Sequence, residues 1–119
     1  MTMFEARVIA GKGRGRGIGF PTLNLEIPPH FEAIEGIYAC SVVIKSKTYQ
    51  GDLHYGPIPV FGDMKKSLEI FVLDWLAAKP PEKINFELGQ YLRPIQNFHS
   101  PAALAAQIAA DVIKIRNSR

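Results

Sequence analysis

The hydrophobic and polar positions of this chain repeat mostly at the two-residue period of a β-strand. Residues 4–10 alternate loosely and predict an opening strand. Residues 20–27 predict a second, stopped by Pro28-Pro29. Residues 28–35 read as a polar loop. Residues 36–45, Gly-Ile-Tyr-Ala-Cys-Ser-Val-Val-Ile-Lys, are β-branched and aromatic and predict a third strand. A tight turn at Ser46-Lys47 leads into a fourth strand over residues 48–55. The stretch 56–66 carries Gly and Pro punctuators and reads as a loop. Residues 68–75 make the strongest strand pattern in the chain. Lys79-Pro80-Pro81 breaks it, and residues 83–92 form the last strand.

The period then changes to that of a helix. Ser100 is a suitable N-cap and Pro101 a suitable first helical residue. Leu104, Ile108, Val112 and Ile115 follow at spacings of four, four and three, one apolar stripe, with Lys114 and Arg116 where the helix dipole favours cations. Short strands followed by one helix predict a mainly β protein, an antiparallel sheet curled into a barrel with the helix outside it. No strand alternates with a helix, and no G-x-G-x-x-G or G-x-x-x-x-G-K-[ST] run is present, which argues against Rossmann and P-loop architectures.

Composition narrows the class. A chain of 119 residues with 47% hydrophobic and 21% charged residues reads as one globular domain, residues 1–119. No apolar run approaches the roughly 20 residues that cross a bilayer. The residues Met1-Thr2-Met3-Phe4-Glu5 lack the features of a secretion signal. Cys40 is the only cysteine, so no internal disulfide is possible, and a reducing, cytoplasmic location is expected. The net charge of +3 suits an anionic ligand such as a nucleotide and falls short of a dedicated nucleic-acid binder.

Three features carry candidate chemistry. In Gly11-Lys12-Gly13-Arg14-Gly15-Arg16-Gly17-Ile18-Gly19, cations alternate with half of all the glycines. Glycine lets backbone N–H groups approach phosphate oxygens closely, and the cations attract the same anion. A flexible surface loop, or an Arg-Gly element touching RNA, is the alternative. Next, strand alternation puts Thr22 and Asn24 on one face and Leu23, Leu25 and Ile27 on the other. A hydroxyl and an amide oxygen are hard neutral ligands that could help hold Mg²⁺; equally, both residues could simply face solvent. Third, Glu69 is the only charged residue between Ser67 and Leu73, in a strand apolar on both faces. A carboxylate there is costly unless paired, hydrated or used, so Glu69 is either a general base or a buried acid satisfied by Arg93, Arg7 or another cation. Asp74 reads as a turn residue. His30, His54 and His99 show no metal-ligand spacing and read as structural or solvated.

Taken together, GKGRGRGIGFPTLNL (residues 11–25), Gly36-Ile37-Tyr38-Ala39, LEIFVLD (residues 68–74), Leu92-Arg93-Pro94-Ile95-Gln96-Asn97-Phe98 and the stretch from Leu104 through Gln107-Ile108 to Asp111 closely resemble the riboflavin kinase domain. The resemblance runs over nearly the whole chain in the same order. It implies a six-stranded antiparallel closed barrel of Greek-key type with one C-terminal helix, and a phosphotransferase acting on an alcohol group. The reaction implied is transfer of the terminal phosphate of ATP to the ribityl 5′-hydroxyl of riboflavin, giving FMN and ADP, with Mg²⁺ (Zn²⁺ or Mn²⁺ as alternatives). By position, Gly11, Lys12, Gly13, Arg14, Gly15, Arg16 and Gly19 would cover the nucleotide, Thr22 and Asn24 would hold the metal–ATP complex, Glu69 would be the base, and Arg93 would lie near the flavin ring.

The sequence departs from that pattern in places. His54 stands where the family usually has Asn, Val60 where it usually has Thr, and Trp75-Leu76-Ala77-Ala78-Lys79 where Tyr-Gly is usual. The adenylyltransferase half often fused to this domain is absent from the sequence. The expected partners are riboflavin, FMN, ATP and ADP, with no nucleic acid and no membrane, and the expected state is a monomer. A diverged member that binds flavin or nucleotide without efficient turnover is the second reading, and an RNA-binding barrel the third.

Overall fold

A computed structural model describes residues 2–11, 17–76 and 79–118, with Asp63 in its backbone only. Six strands appear in chain order: β1 (Met3–Ile9), β2 (Leu23–Leu25), β3 (Gly36–Ile44), β4 (Lys47–Ile58), β5 (Asp63–Val72) and β6 (Lys83–Arg93). Every neighbouring pair is antiparallel, and the order β1-β2-β5-β4-β3-β6 closes into a barrel through the β6–β1 pairing. Three hairpin-linked strands, β3 to β5, with β6 returning beside β3 form a Greek key. The expected fold class is the one observed.

Period-two alternation separates an inner from an outer face. Leu23 and Leu25 of β2, Cys40, Val42 and Ile44 of β3, Leu53 and Tyr55 of β4, Leu68, Ile70 and Val72 of β5, and Ile84 and Phe86 of β6 fill the barrel. Phe31, from the segment expected to be a polar loop, joins that core. Its ring packs edge-on to Phe4 and Tyr55 at 5.0 Å each. The loop is held in a turn by the Phe31 N–H donating to the Pro28 carbonyl at 3.1 Å.

Two strand boundaries differ from expectation. β2 is only three residues long, shorter than the predicted 20–27. The stretch 56–66, expected to be a loop, is mostly strand: β4 runs on to Ile58 and β5 begins at Asp63, with one 3₁₀ turn at Pro59–Phe61 between them. Gly56 and Pro57 mark a β-bulge rather than a break, because the β4–β5 register shifts between Gly56 and Ile58. Gly56 sits there at φ +135°, where a side chain would be strained.

The C-terminal helix α1 (Pro101–Asn117) begins as the sequence predicts. Ser100 Oγ accepts from the Ala103 N–H at 3.1 Å, and Pro101 occupies the first turn. Such a cap stabilises a helix by about 1 kcal/mol. Its far end is docked on the barrel by the buried Ile115, by Gln50 Nε2 donating to the Ile115 carbonyl at 3.3 Å, and by Arg116 bridging both Asp74 oxygens at 2.9 Å. Among the described residues no helix is long and apolar enough to cross a membrane.

Candidate active site

The site follows from the outward face of the barrel. Because Leu53, Leu68 and Leu25 point inward, His54, Glu69 and Asn24 point outward, and strand register sets them side by side. Asn24 pairs with Glu69, Glu69 with His54, His54 with Ile37, and Ile37 with Arg93, so one row crosses β2, β5, β4, β3 and β6. Helix α1 and residues 95–98 lean over this row. Between them lies a cleft of about 740 Å³, counted out to its open mouth.

Most of the wall is apolar. Ile18 and Phe20 lie at one end, Ile37 and Phe71 on the floor, and Ile95, Phe98, Leu104 and Ile108 on the side of the helix. Leu104 and Ile108, from the predicted apolar stripe, therefore face the cleft while Ile115 seals the barrel. Phe20 stands edge-on to Phe71 at 5.2 Å.

The polar groups gather in two places. At the end near β2, Thr22 Oγ1 donates to Glu69 Oε1 at 2.9 Å. The backbone of Gly11 passes directly over the Asn24 amide, so closely that a Cβ at position 11 would overlap it. The start of the glycine-rich segment is thus parked on the Thr22–Asn24–Glu69 group. Lys12, Gly13, Arg14, Gly15 and Arg16, the body of the expected phosphate cover, lie outside the described residues. Gly19 turns back with φ +90° and delivers Phe20 to the cleft.

Deeper in, Arg93 is engaged by helix α1. Its Nε and Nη2 reach Asp111 at 2.8–3.2 Å, and Gln107 Nε2 also donates to Asp111, at 3.0 Å. The pair is nearly sealed from water, with side-chain exposures of 13% and 5%. Arg93 is therefore not the counter-ion of Glu69. Glu69 has no ion pair within 4.0 Å among the described residues, so the reading of a buried acid neutralised by Arg93 is set aside. Arg93 also lies over the Phe98 ring, 5.6 Å from its centroid.

His54, read as structural or solvated, is a buried side chain held by the backbone. It lines the cleft, and its Nε2 lies 2.9 Å from the Gly56 carbonyl, which fixes the proton on that nitrogen. Burial pulls its pKa below the usual value, so the ring stays neutral. Asp52, two residues earlier on the same face, went unnoticed in the sequence. It is 8% exposed, and burial together with the nearby Asp111 pushes its carboxyl up to about 7, against the opposing pull of Arg93. A carboxylate amid Gly51 and Leu53 was the available signal.

The sequence model of the family Flavokinase: Riboflavin kinase matches residues 1–119. The chain belongs to the riboflavin kinase family. Among curated relatives, it is 35% identical over 108 residues to the trifunctional protein RibF/MnmA of Mycoplasmoides gallisepticum, covering 90% of this chain and 16% of the relative. The RNA-binding riboflavin kinase RibR of Bacillus subtilis is 31% identical over 113 residues, covering 94% of this chain and 49% of the relative. The bifunctional riboflavin kinase/FMN adenylyltransferase of Escherichia coli (strain K12) is 32% identical over 113 residues, covering 94% and 36%. The chain therefore spans about half or less of these relatives' length. A solved structure of a macrolide-efflux protein from Streptococcus pneumoniae superposes with a TM-score of 0.85 at 25% identity, over 98% of this chain and 39% of that one. Riboflavin kinases act on riboflavin with ATP and a divalent metal.

Proposed function

We propose that this domain transfers the γ-phosphoryl group of ATP to the 5′-hydroxyl of riboflavin's ribityl chain, giving FMN and ADP. The observation that carries this reading is the Thr22–Glu69 hydrogen bond at the junction of the glycine-rich segment and an apolar cleft. A carboxylate there stands between a place for phosphates and a place for a flat aromatic ring. Family membership supports the same chemistry.

The donor set fits a hard divalent cation. Thr22 and Asn24 offer neutral oxygens beside the phosphate side, and the Thr22 hydroxyl, donating its proton to Glu69, keeps its lone pairs free. Among the described residues no cluster of three or more His, Cys, Asp or Glu could hold a metal. That suits Mg²⁺ carried mainly by nucleotide phosphates and water. When bound, the ion would neutralise phosphate charge.

The protein's own part is alignment and proton transfer. Thr22 fixes one oxygen of Glu69, which leaves the other to accept a hydrogen bond from the substrate hydroxyl. As the oxygen of the substrate hydroxyl bonds to the γ-phosphorus and the bond from phosphorus to the β–γ bridging oxygen breaks to release ADP, Glu69 takes the hydroxyl proton and later returns it to solvent. Ile37, Phe71, Leu104 and Ile108 hold the ring and exclude water.

Incubation with riboflavin, ATP and Mg²⁺, with chromatographic detection of FMN, tests the reading. Glu69→Gln keeps the shape and one acceptor oxygen but removes the base. It should fold, bind flavin and lose about 10²–10⁴-fold in rate. No FMN from the wild type would overturn the proposed reaction, and a near wild-type rate in Glu69→Gln would remove Glu69 as its base.

A further inference from the structure

Asp52 is more than nine-tenths buried, yet it has no hydrogen bond and no ion pair within 4.0 Å among the described residues. Every fully enclosed side-chain polar atom among those residues does have a partner. The Asp52 oxygens are therefore the ones that open onto the cleft, whose wall includes this residue. Nearby polar groups are already committed: Arg93 and Gln107 to Asp111, and His54 Nε2 to the Gly56 carbonyl. A buried carboxyl with no protein donor is costly unless a ligand or water supplies one.

Its position says which part of a ligand would do so. Asp52 faces Phe71 across β4–β5, one diagonal step from Glu69 on the same outer face, about 7–8 Å away. Phosphates belong on the β2 side of Glu69, where Gly11 meets Asn24. The ring wall, Ile37, Ile95, Leu104 and Ile108, lies on the opposite side, toward β3 and the helix. A chain joining a hydroxyl at Glu69 on β5 to a ring on that wall must cross β4, the strand that carries Asp52.

We propose that Asp52 is a specificity-determining residue that reads the polyol chain of the flavin substrate, its carboxyl accepting hydrogen bonds from the secondary hydroxyls. The inference rests on the riboflavin reading above. Two vicinal hydroxyls can satisfy the two Asp52 oxygens together, and an alkyl chain cannot. Asp52 acts on recognition, while Glu69 acts on the terminal hydroxyl.

The test is equilibrium binding, followed by quenching of flavin fluorescence, so it needs no turnover. The ligands are riboflavin and the same flavin carrying a 5-hydroxypentyl chain, which keeps only the terminal hydroxyl. Wild type should prefer riboflavin by about 10- to 100-fold, the range of hydrogen bonds to a charged group. Asp52→Val should bind riboflavin that much more weakly and the hydroxypentyl flavin as well as wild type does. Asp52→Asn, which keeps one acceptor oxygen, should fall between, and it decides the matter if Asp52→Val does not fold. An unchanged preference in both variants, or a loss equal for both flavins, would overturn the proposal. If the hydroxyl preference depends on Asp52 but wild type makes no FMN, the phosphotransfer reading fails and this one stands. FMN formation with a preference indifferent to Asp52 does the reverse. Failure of wild type to bind either flavin overturns both.

Discussion

Asp52 also makes the stability of the empty protein depend on pH in a direction that can be measured. Its carboxyl titrates at about 7 in the folded chain, against about 3.9 in an unfolded one. The charged groups facing it are Asp111 on the helix and Arg93 on β6. A carboxyl with a raised folded value favours the native state fully only below the unfolded value. That stability is lost as pH rises toward 7, because the unfolded chain releases the proton while the native one retains it. The limiting loss is about 4 kcal/mol, and roughly 2–3 kcal/mol of it falls between pH 5 and pH 8. Asp52→Asn keeps the shape and removes the titration. Urea unfolding of wild type and Asp52→Asn at pH 5, 6, 7 and 8, without ligand, isolates this group, since all other titrations cancel in the difference. The variant should gain on the wild type by roughly 2–3 kcal/mol across that interval, levelling off above pH 7. A difference constant to within about 0.5 kcal/mol would refute the argument, because Asp52 would then titrate alike in both states.

Two further substitutions probe how the cleft is built. Asp111→Ala leaves the guanidinium of Arg93 unpaired in a site only 13% exposed, so urea unfolding should show a loss of about 3–5 kcal/mol. Gly11→Ala pushes a methyl group into the Asn24 amide; it should raise the KM for Mg²⁺–ATP several-fold while flavin quenching stays at the wild-type level.

What was legible in the sequence was what strand and helix periods encode directly. Leu68, Ile70 and Val72 alternate with Glu69 and Phe71, so the lone acid stood out, and its outward direction followed from the same alternation. The shared face of Thr22 and Asn24, opposite Leu23 and Leu25, followed in the same way, and Ser100-Pro101 marked the helix start. What periodicity does not encode is what covers an outward face. His54 and Asp52 alternate with Leu53 and Tyr55 as solvent-facing residues would, and only the helix crossing above them turns that face into a cleft wall. Arg93 and Asp111 are 18 residues apart across a loop, beyond any local rule, so their pairing was hidden. Phe31 was lost for the opposite reason: a single aromatic side chain in a Pro-bounded loop has no period at all. Gly56-Pro57 misled because the same dipeptide marks a bulge as readily as a turn.

Putting the cleft on the outside of the barrel separates two demands that many folds make on the same side chains. The core is closed by inward residues such as Phe86, Leu53 and Ile70, none of which lines the cleft. Glu69 hangs from the other side of β5, Asn24 from the outer face of β2 and Thr22 just ahead of it, so they can be chosen for chemistry without opening a cavity. The helix is the exception. Its stripe divides along its length, Ile115 sealing the barrel and Leu104 and Ile108 shaping the cleft, and Asp111 fastens it between the two. A change at Asp111 therefore moves a wall of the site as well as a joint of the fold, whereas a change at Glu69 touches only the site. Asp52 lies under that same joint, where a carboxyl without a protein partner weakens the empty fold as pH rises. A leucine or valine would hold the helix there at less cost to stability, so the demand that Asp52 meets comes from the cleft and not from the fold.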